Sequence, residues 1–256
     1  INYPQITTMG CSSSRPSGAI IRQLFEKNSS TYTYVVACPS TKECCLIDPV
    51  LVTVERDLAF IEKAGYTLKY CLNTHVHADH ITGSGRIKLA NTNVKSVISE
   101  ASKAKADLQV KDGDDIKIGS VTIHVRATPG HTAGCVTYVV AGGSAAFTGD
   151  ALLINGCGRT DFQQGNPGQL YESVWGKIFS LPSGCTLYPG HDYNGFMSTT
   201  VGEEKKNNPR LILSKDEFIK LMNKKFDGSN YPKRLDEVFP RNMICGFPLP
   251  DNEMKA

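Results

Sequence analysis

The run Asn73-Thr74-His75-Val76-His77-Ala78-Asp79-His80 places three of the chain's six histidines and an aspartate within six consecutive residues. No other stretch limits the fold so strongly. Imidazoles and carboxylates crowded this closely are costly to bury without partners, and histidine clusters with carboxylates at ligand spacing are the usual mark of a metal site. In an extended segment, residues two apart point to the same side, so His75 and His77 can approach one ion. Asp79 and His80 then follow in the turn toward a second position nearby. Such a fold must carry further ligands to the same place. Three candidates lie downstream: His131 in TPGHTAG, Asp150 in FTGDA and His191 in YPGHDY. Each follows a β-rich run and sits beside glycine, where the backbone can turn and deliver a side chain to a shared site. The sixth histidine, His124, lies inside the alternating stretch VTIHVRA and reads as a structural strand residue.

The runs between these residues alternate between strand and helix patterns. Residues 19–25, 31–38 and 43–48 are β-rich and separated by Asn/Ser and Pro/Ser clusters, which predicts a meander. Thr53 is placed to cap a helix that presents Val54, Leu58 and Ile61 on one face and ends at Gly65. A short strand over 70–73 leads into the histidine cluster. A helix near 86–90 follows, then strands near 94–99, 115–118, 121–127, 135–140 and 145–148. A helix over about 167–179 and a strand over 186–188 come next, and the chain reads as mainly helical after His191. Strands interleaved with helices predict layers of both.

Composition excludes several classes of function. The chain has 256 residues, 40% hydrophobic and 21% charged, as expected of a globular protein able to bury a substantial core. No apolar run reaches the roughly 18 residues needed for a membrane span. A net charge of +3 with scattered lysines offers no basic stripe for nucleic acid. Nine cysteines, an odd number with no CxxC pair, read as mostly reduced thiols of an intracellular protein. The first 25 residues contain no acid, carry Arg15 and Arg22, and are rich in Ser and Thr, which suits a mitochondrial transit remnant or a flexible tail. Met9-Gly10-Cys11 would fit a myristoylation signal if Met9 were the initiator.

THVHADH together with TPGHTAG, FTGDA and YPGHDY resembles the HxHxDH…H…D…H pattern of the metallo-β-lactamase superfamily, over about residues 19 to 200. The resemblance implies a fold of the α/β (α+β) class: an αββα four-layer sandwich with the metal site at one edge, between the two sheets. Most members of that superfamily hydrolyse esters, amides or phosphodiesters with metal-bound hydroxide, whose pKa the metal lowers to about 7. A closer resemblance runs through TYTYVVA, NTHVHADHITGSG, VRATPGHTAGCVTYV, FTGDALLINGCGRTDFQQG, LYPGHDYNGF and NPRL. These stretches are similar to the persulfide dioxygenase (sulfur dioxygenase) branch over nearly the whole chain, and GCGRTDFQQG is the most discriminating.

That resemblance implies one Fe(II) per chain, held by His75, His131 and Asp150. His77, Asp79, His80 and His191 would then support the ligands by hydrogen bonds or mark a vestigial second metal position. It implies an oxidoreductase that adds both atoms of O₂ to the outer sulfur of glutathione persulfide, after which water releases sulfite and glutathione in sulfide detoxification. Arg159, Tyr193 and Arg210 match the family's glutathione contacts, and Thr132 and Cys157 lie near the iron. A guanidinium fork at Arg159 suits a substrate carboxylate bidentately. The resemblance further implies a homodimer, and a mitochondrial matrix location with the cytoplasm as the alternative. Many members carry Ala where this chain has Gly190, a departure expected to change loop flexibility alone. The expected organisation is a tail over 1–18, the metallo-β-lactamase domain over 19–200 and a mainly helical extension over 201–256. Two other readings remain. A glyoxalase II type thioesterase shares the ligand set but uses two metals and a longer, more basic helical region after the last histidine. A non-catalytic binding member normally loses ligands, whereas all seven are retained here.

Overall fold

Alternating apolar side chains build two six-stranded sheets, each covered on both faces. The structure, a computed structural model, describes residues 18–228 and 234–248, so the expected tail and the Met9-Gly10-Cys11 stretch lie, Gly18 apart, outside the described residues. The first sheet holds β1 (Ile20–Glu26), β2 (Thr31–Ala37), β3 (Glu43–Ile47), β4 (Thr67–Leu72), β5 (Lys95–Ser99) and β6 (Leu108–Val110), side by side in chain order. β1, β2 and β3 are antiparallel, and β3 through β6 are parallel. The second sheet holds β7 (Asp115–Ile118), β8 (Val121–Ala127), β9 (Val136–Val140), β10 (Ala145–Gly149), β11 (Thr186–Pro189) and β12 (Thr199–Thr200). Its neighbours are antiparallel except β10 and β11.

The parallel pairs need crossovers, and helices supply them. α1 (Val54–Lys63) links β3 to β4, α2 (Ser84–Ala90) links β4 to β5, and α3 (Pro167–Ser173) lies between β10 and β11. Successive strand residues face opposite layers, so one strand feeds two cores. Tyr34, Val36, Ile123, Val125, Tyr138 and Phe147 meet between the sheets. Val35, Ala37 and Leu46 turn outward to Val54 and Ile61 of α1 and Ile87 of α2. Val139, Ala146 and Leu187 turn outward to Leu170 of α3. The result is the expected αββα sandwich. Truncating Phe147, fully buried at its centre, is expected to cost about 3–5 kcal/mol.

After β12 come α4 (Val201–Asn207), α5 (Lys215–Lys225) and α6 (Leu235–Asn242). α5 opens with a capping box of Ser214 and Glu217, and its Phe218 and Met222 join the outer layer beside Leu170. Several expectations shift. Thr53 makes no capping bond; its hydroxyl donates instead to the Val50 carbonyl and to Asp57. The helix expected over 167–179 is α3 followed by a π-helical turn, Val174–Ile178. β4 starts three residues before the expected strand. β6 and β12 are too short and too exposed to show an alternation in the sequence. The eight described cysteines are free and buried.

Candidate metal centre

Four loops leave the same edge of the sandwich and carry the seven candidate groups. The histidine cluster follows β4, His131 follows β8, Asp150 follows β10 and His191 follows β11. Backbone bonds fasten the loops to one another: Val136 N donates to the Thr74 carbonyl at 2.9 Å, Gly190 N to the Gly149 carbonyl at 2.8 Å and Tyr32 N to the Gly190 carbonyl at 2.9 Å. The hydroxyls of Tyr138 and Tyr34, rising from the core, donate to the carbonyls of Asn73 and Pro189.

The seven residues fall into groups that simple strand alternation does not anticipate. His75, His131 and Asp150 form one group and His77, Asp79 and His80 another, with ligand atoms within 4.8 Å of one another in each. The His75 and His77 rings remain 4.1 Å apart, because the segment after β4 is a loop rather than a continuing strand. His191 stands behind the first group.

Hydrogen bonds decide which atoms of the first group are left to a ligand. His131 Nδ1 lies 2.7 Å from the Arg159 carbonyl, which only accepts, so Nδ1 carries the proton and Nε2 a lone pair. Thr74 Oγ1 donates to Asp48 Oδ2 at 2.8 Å and therefore accepts from His75 Nδ1 at 2.9 Å, leaving the His75 Nε2 lone pair. Asp150 Oδ1 accepts from His191 Nδ1 at 2.7 Å, while Oδ2 lies 3.7 Å from His131 Nε2. Each member thus spends one polar atom on a fixed support and presents another to the shared space, the pattern of supported metal ligands. Burial lowers the basicity of both imidazoles, keeping His75 and His131 neutral. Burial works against ionised Asp150, but the charge and hydrogen bond of His191, with the neighbouring histidines, together hold the carboxyl below the usual carboxylate range. Neutral imidazoles and an ionised carboxylate are the protonation states a metal requires. The donor set fits a metal ion.

The second group differs. His77 Nε2 donates to Asp48 Oδ1 at 3.0 Å and His80 Nδ1 to Asp79 Oδ2 at 2.9 Å. This leaves His77 Nδ1 and His80 Nε2 buried with no hydrogen-bond partner among the described residues. His191 commits both nitrogens to carboxylates, Nδ1 to Asp150 and Nε2 to Asp79 Oδ2 at 3.0 Å. Burial lowers the His191 pKa, yet Asp150 and Asp79 together raise it well above the ordinary histidine value, so it stands as a cation. As arranged, His191 has no lone pair for a second metal.

A cavity of about 440 Å³ opens onto the first group, bounded by Asp79, Leu153, Cys157, Arg159, Tyr193 and Phe226 among others. Its size lies within the range of small-molecule sites. Arg210 and Lys225 also line it. Arg210 Nη1 donates to the Cys157 carbonyl at 2.7 Å and lies 3.8 Å from its sulfur. Tyr193 is 72% exposed and stacks its ring parallel to His191.

The superfamily model for metallo-beta-lactamases matches residues 27–191. The human protein named persulfide dioxygenase ETHE1, mitochondrial, is 52% identical over 238 residues, which span 91% of this chain and 92% of that protein. The chain belongs to the persulfide dioxygenase family. A crystal structure of ETHE1 from Myxococcus xanthus, 44% identical, superposes on this persulfide dioxygenase with a TM-score of 0.84 over 89% of its chain and all of the other. Hydroxyacylglutathione hydrolase of Rhodospirillum rubrum is 38% identical over 64% of the chain and 63% of its own length. The likeness to thioesterases is therefore partial, and the likeness to persulfide dioxygenases runs nearly end to end.

Other expected site residues of this persulfide dioxygenase have specific surroundings. The fork of Arg159 faces Asp161, with Nε and Nη2 donating to its two oxygens at 2.7 and 2.6 Å, and the guanidinium lies over the rings of Phe162 and Phe226. Thr132 is buried beside His131, but its hydroxyl meets Cys135 Sγ at 3.2 Å and it borders a different, smaller cavity. Cys157 is buried against Met222. Gly190 has a consequence beyond loop flexibility: a Cβ there would stand 2.7 Å from Asp150 Oδ1, so an alanine would require that carboxylate to shift. His124 pairs with Asp115 on the sheet, away from the centre, as a structural residue.

The sequence reading missed Asp48, Thr31, Asp161 and Asn242. Asp48 had a usable signal, an acid directly after the apolar run of β3, and it anchors both Thr74 and His77. Thr31 Oγ1 lies within 3.3 Å of Asp79, His80 and His191 but looks like any strand threonine in the sequence.

Proposed function

We propose that this persulfide dioxygenase works with a single iron ion per chain, held by His75, His131 and Asp150, and oxidises the outer sulfur of glutathione persulfide with O₂. One O₂ and one water per persulfide give sulfite and glutathione. The observation that carries the reading is the convergence of one ligand atom each from His75, His131 and Asp150 while His191 has both nitrogens engaged. Two histidines and one carboxylate would hold Fe(II), which would supply the redox chemistry for joining a sulfur anion with O₂.

The chain's own groups prepare that site. His191, as a cation, keeps Asp150 ionised and fixes its rotation. The relay from Asp48 through Thr74 holds the His75 ring with its proton on Nδ1. Phe162 stands edge-on to His131 and, with Leu153, keeps an apolar wall against water. At the rim, Arg210 and Lys225 supply positive charge suited to a tripeptide with two carboxylates, Arg159 stands with them in its pair with Asp161, and Tyr193 offers its hydroxyl. Cys157, with its thiol kept protonated by burial, borders the sulfur-binding side as a neutral group.

A binuclear thioesterase of the glyoxalase II type is the second reading, favoured by the unpartnered His77 Nδ1 and His80 Nε2. The proposal extends to a homodimer, tested by light scattering. It also extends to the mitochondrial matrix, supported by the word mitochondrial in the names of the human and bovine relatives and tested by fractionation. Among the described residues no helix is long and apolar enough to cross a membrane. An oxygen electrode separates the two enzymatic readings. Glutathione persulfide is expected to drive stoichiometric O₂ uptake, and hydrolysis of a glutathione thioester without O₂ uptake would overturn the dioxygenase reading.

A further inference from the structure

Asn242, in the last turn of α6, is 4% exposed and turns its amide to the histidine loop. Nδ2 donates to the carbonyls of His77 at 2.9 Å and His80 at 2.8 Å, and Oδ1 accepts from the backbone N–H of Thr82 at 2.9 Å. Three backbone points within six residues of the loop are thereby tied to one side chain from the far end of the sequence. Asp79 lies between them. Its Oδ2 accepts from His80 Nδ1 and from His191 Nε2, and His191 Nδ1 in turn donates to Asp150 Oδ1. The chain of contacts therefore runs from α6 through the loop to a carboxylate of the metal group.

We infer that Asn242 is a positioning residue for the metal centre: it fixes the loop that aims Asp79 at His191, and so sets which oxygen Asp150 presents to the ion. Loops carry little rigidity of their own, and a site held only by side chains on a free loop would lose geometry. A buried amide with both donors and its oxygen engaged supplies the rigidity, because each bond broken in the low-dielectric interior leaves an unpaired group. No local signal in the sequence marks Asn242, since its partners are more than 150 residues away. The inference rests on the ligand assignment made above.

The test compares Asn242→Ala and Asn242→Ser with Val238→Ala, which truncates a buried side chain of the same helix that touches none of these bonds. Two quantities are read on purified holoprotein: the rate at which a chelator strips the metal, and hydrogen exchange at the Thr82 amide. Losing a group that orients ligands typically weakens metal affinity about 10- to 100-fold, and metal loss is expected to quicken by that order in the Asn242 variants. Thr82 exchange should rise in the same variants relative to amides of β2. Val238→Ala should lower thermal stability while metal loss stays at the wild-type rate. Equal metal loss in Val238→Ala, unchanged exchange at Thr82, or failure of both Asn242 variants to fold would overturn the inference by reducing Asn242 to a packing role. If Asp150→Ala retains its metal, the ligand assignment fails instead, and Thr82 exchange still reports on the clamp.

Discussion

His191 donates through Nδ1 to Asp150 Oδ1 at 2.7 Å, so a residue of the superfamily's ligand pattern is bonded to another candidate ligand. Its Nε2 is equally committed to Asp79. Replacing His191 with Ala is therefore expected to leave the fold intact and weaken metal retention about 10- to 100-fold rather than abolish it. Equilibrium competition with a chelator measures this, and complete loss of metal would place His191 among the ligands.

The two groups of candidate ligands should respond differently to truncation. Asp150→Ala removes the only carboxylate of the first group and is expected to abolish metal binding. His80→Ala is expected to keep the metal and part of the activity, because His80 stands in the second group and its Nδ1 supports Asp79. Metal analysis of both variants, purified in parallel, decides; a metal-free His80→Ala protein would contradict the grouping.

Much of this arrangement is visible in the amino-acid order, for a physical reason. The ligand loops follow strands whose period-two apolar pattern is strong, and the clustered histidines need no long-range knowledge to be noticed. The supports are another matter. Asp48, Thr31 and Asn242 act across the fold, and nothing local distinguishes a buried asparagine with three bonds from one on a helix surface. The family resemblance divided the histidines in this way, but periodicity alone did not, for a related reason. Strand alternation pairs His75 with His77, but the chain leaves the sheet at Leu72, and beyond that point geometry follows from loop bonds that period does not encode. The guanidinium fork at Arg159 was expected to face a substrate carboxylate, whereas here it is paired with Asp161, a pairing that depends on a tight turn.

That pairing gives a prediction about substrate recognition. Asp161 holds the Arg159 guanidinium between Phe162 and Phe226 at the cavity. Arg159→Ala is expected to raise KM for glutathione persulfide with unchanged metal content. The loss of a charge-assisted contact of about 1.5–3 kcal/mol corresponds to roughly 10- to 150-fold. Asp161→Ala should raise KM in the same direction, and Arg159→Lys should recover part, since lysine keeps the charge and loses the planar fork. Steady-state kinetics against a small persulfide lacking both carboxylates is the control, on which the variants should match wild type. Equal losses on both substrates would assign Arg159 to the architecture of the site.

Burial pushes the Cys157 thiol up to about 11, with Arg210 opposing the shift. The folded protein therefore holds this proton more tightly than the unfolded chain, whose thiol ionises near 9.0. The stabilisation is fully present below that value and declines as pH rises through the folded-state pKa. Cys157→Ala removes it, so the stability deficit of the variant relative to wild type should shrink across that window in thermal melts. At neutral pH, Cys157 should resist alkylation in the folded protein and react after denaturation. Rapid alkylation of Cys157 in native protein, located by peptide mass spectrometry, would show an ionised thiol there.

The central claim is a single iron on His75, His131 and Asp150. Its most direct measurement is the metal content of protein purified without added metal, combined with anomalous diffraction at the iron and zinc absorption edges. The result predicted is about one iron per chain, located between those three residues, with nothing bound between His77, Asp79 and His80. Two fully occupied zinc ions spanning both groups, and no iron, would contradict it.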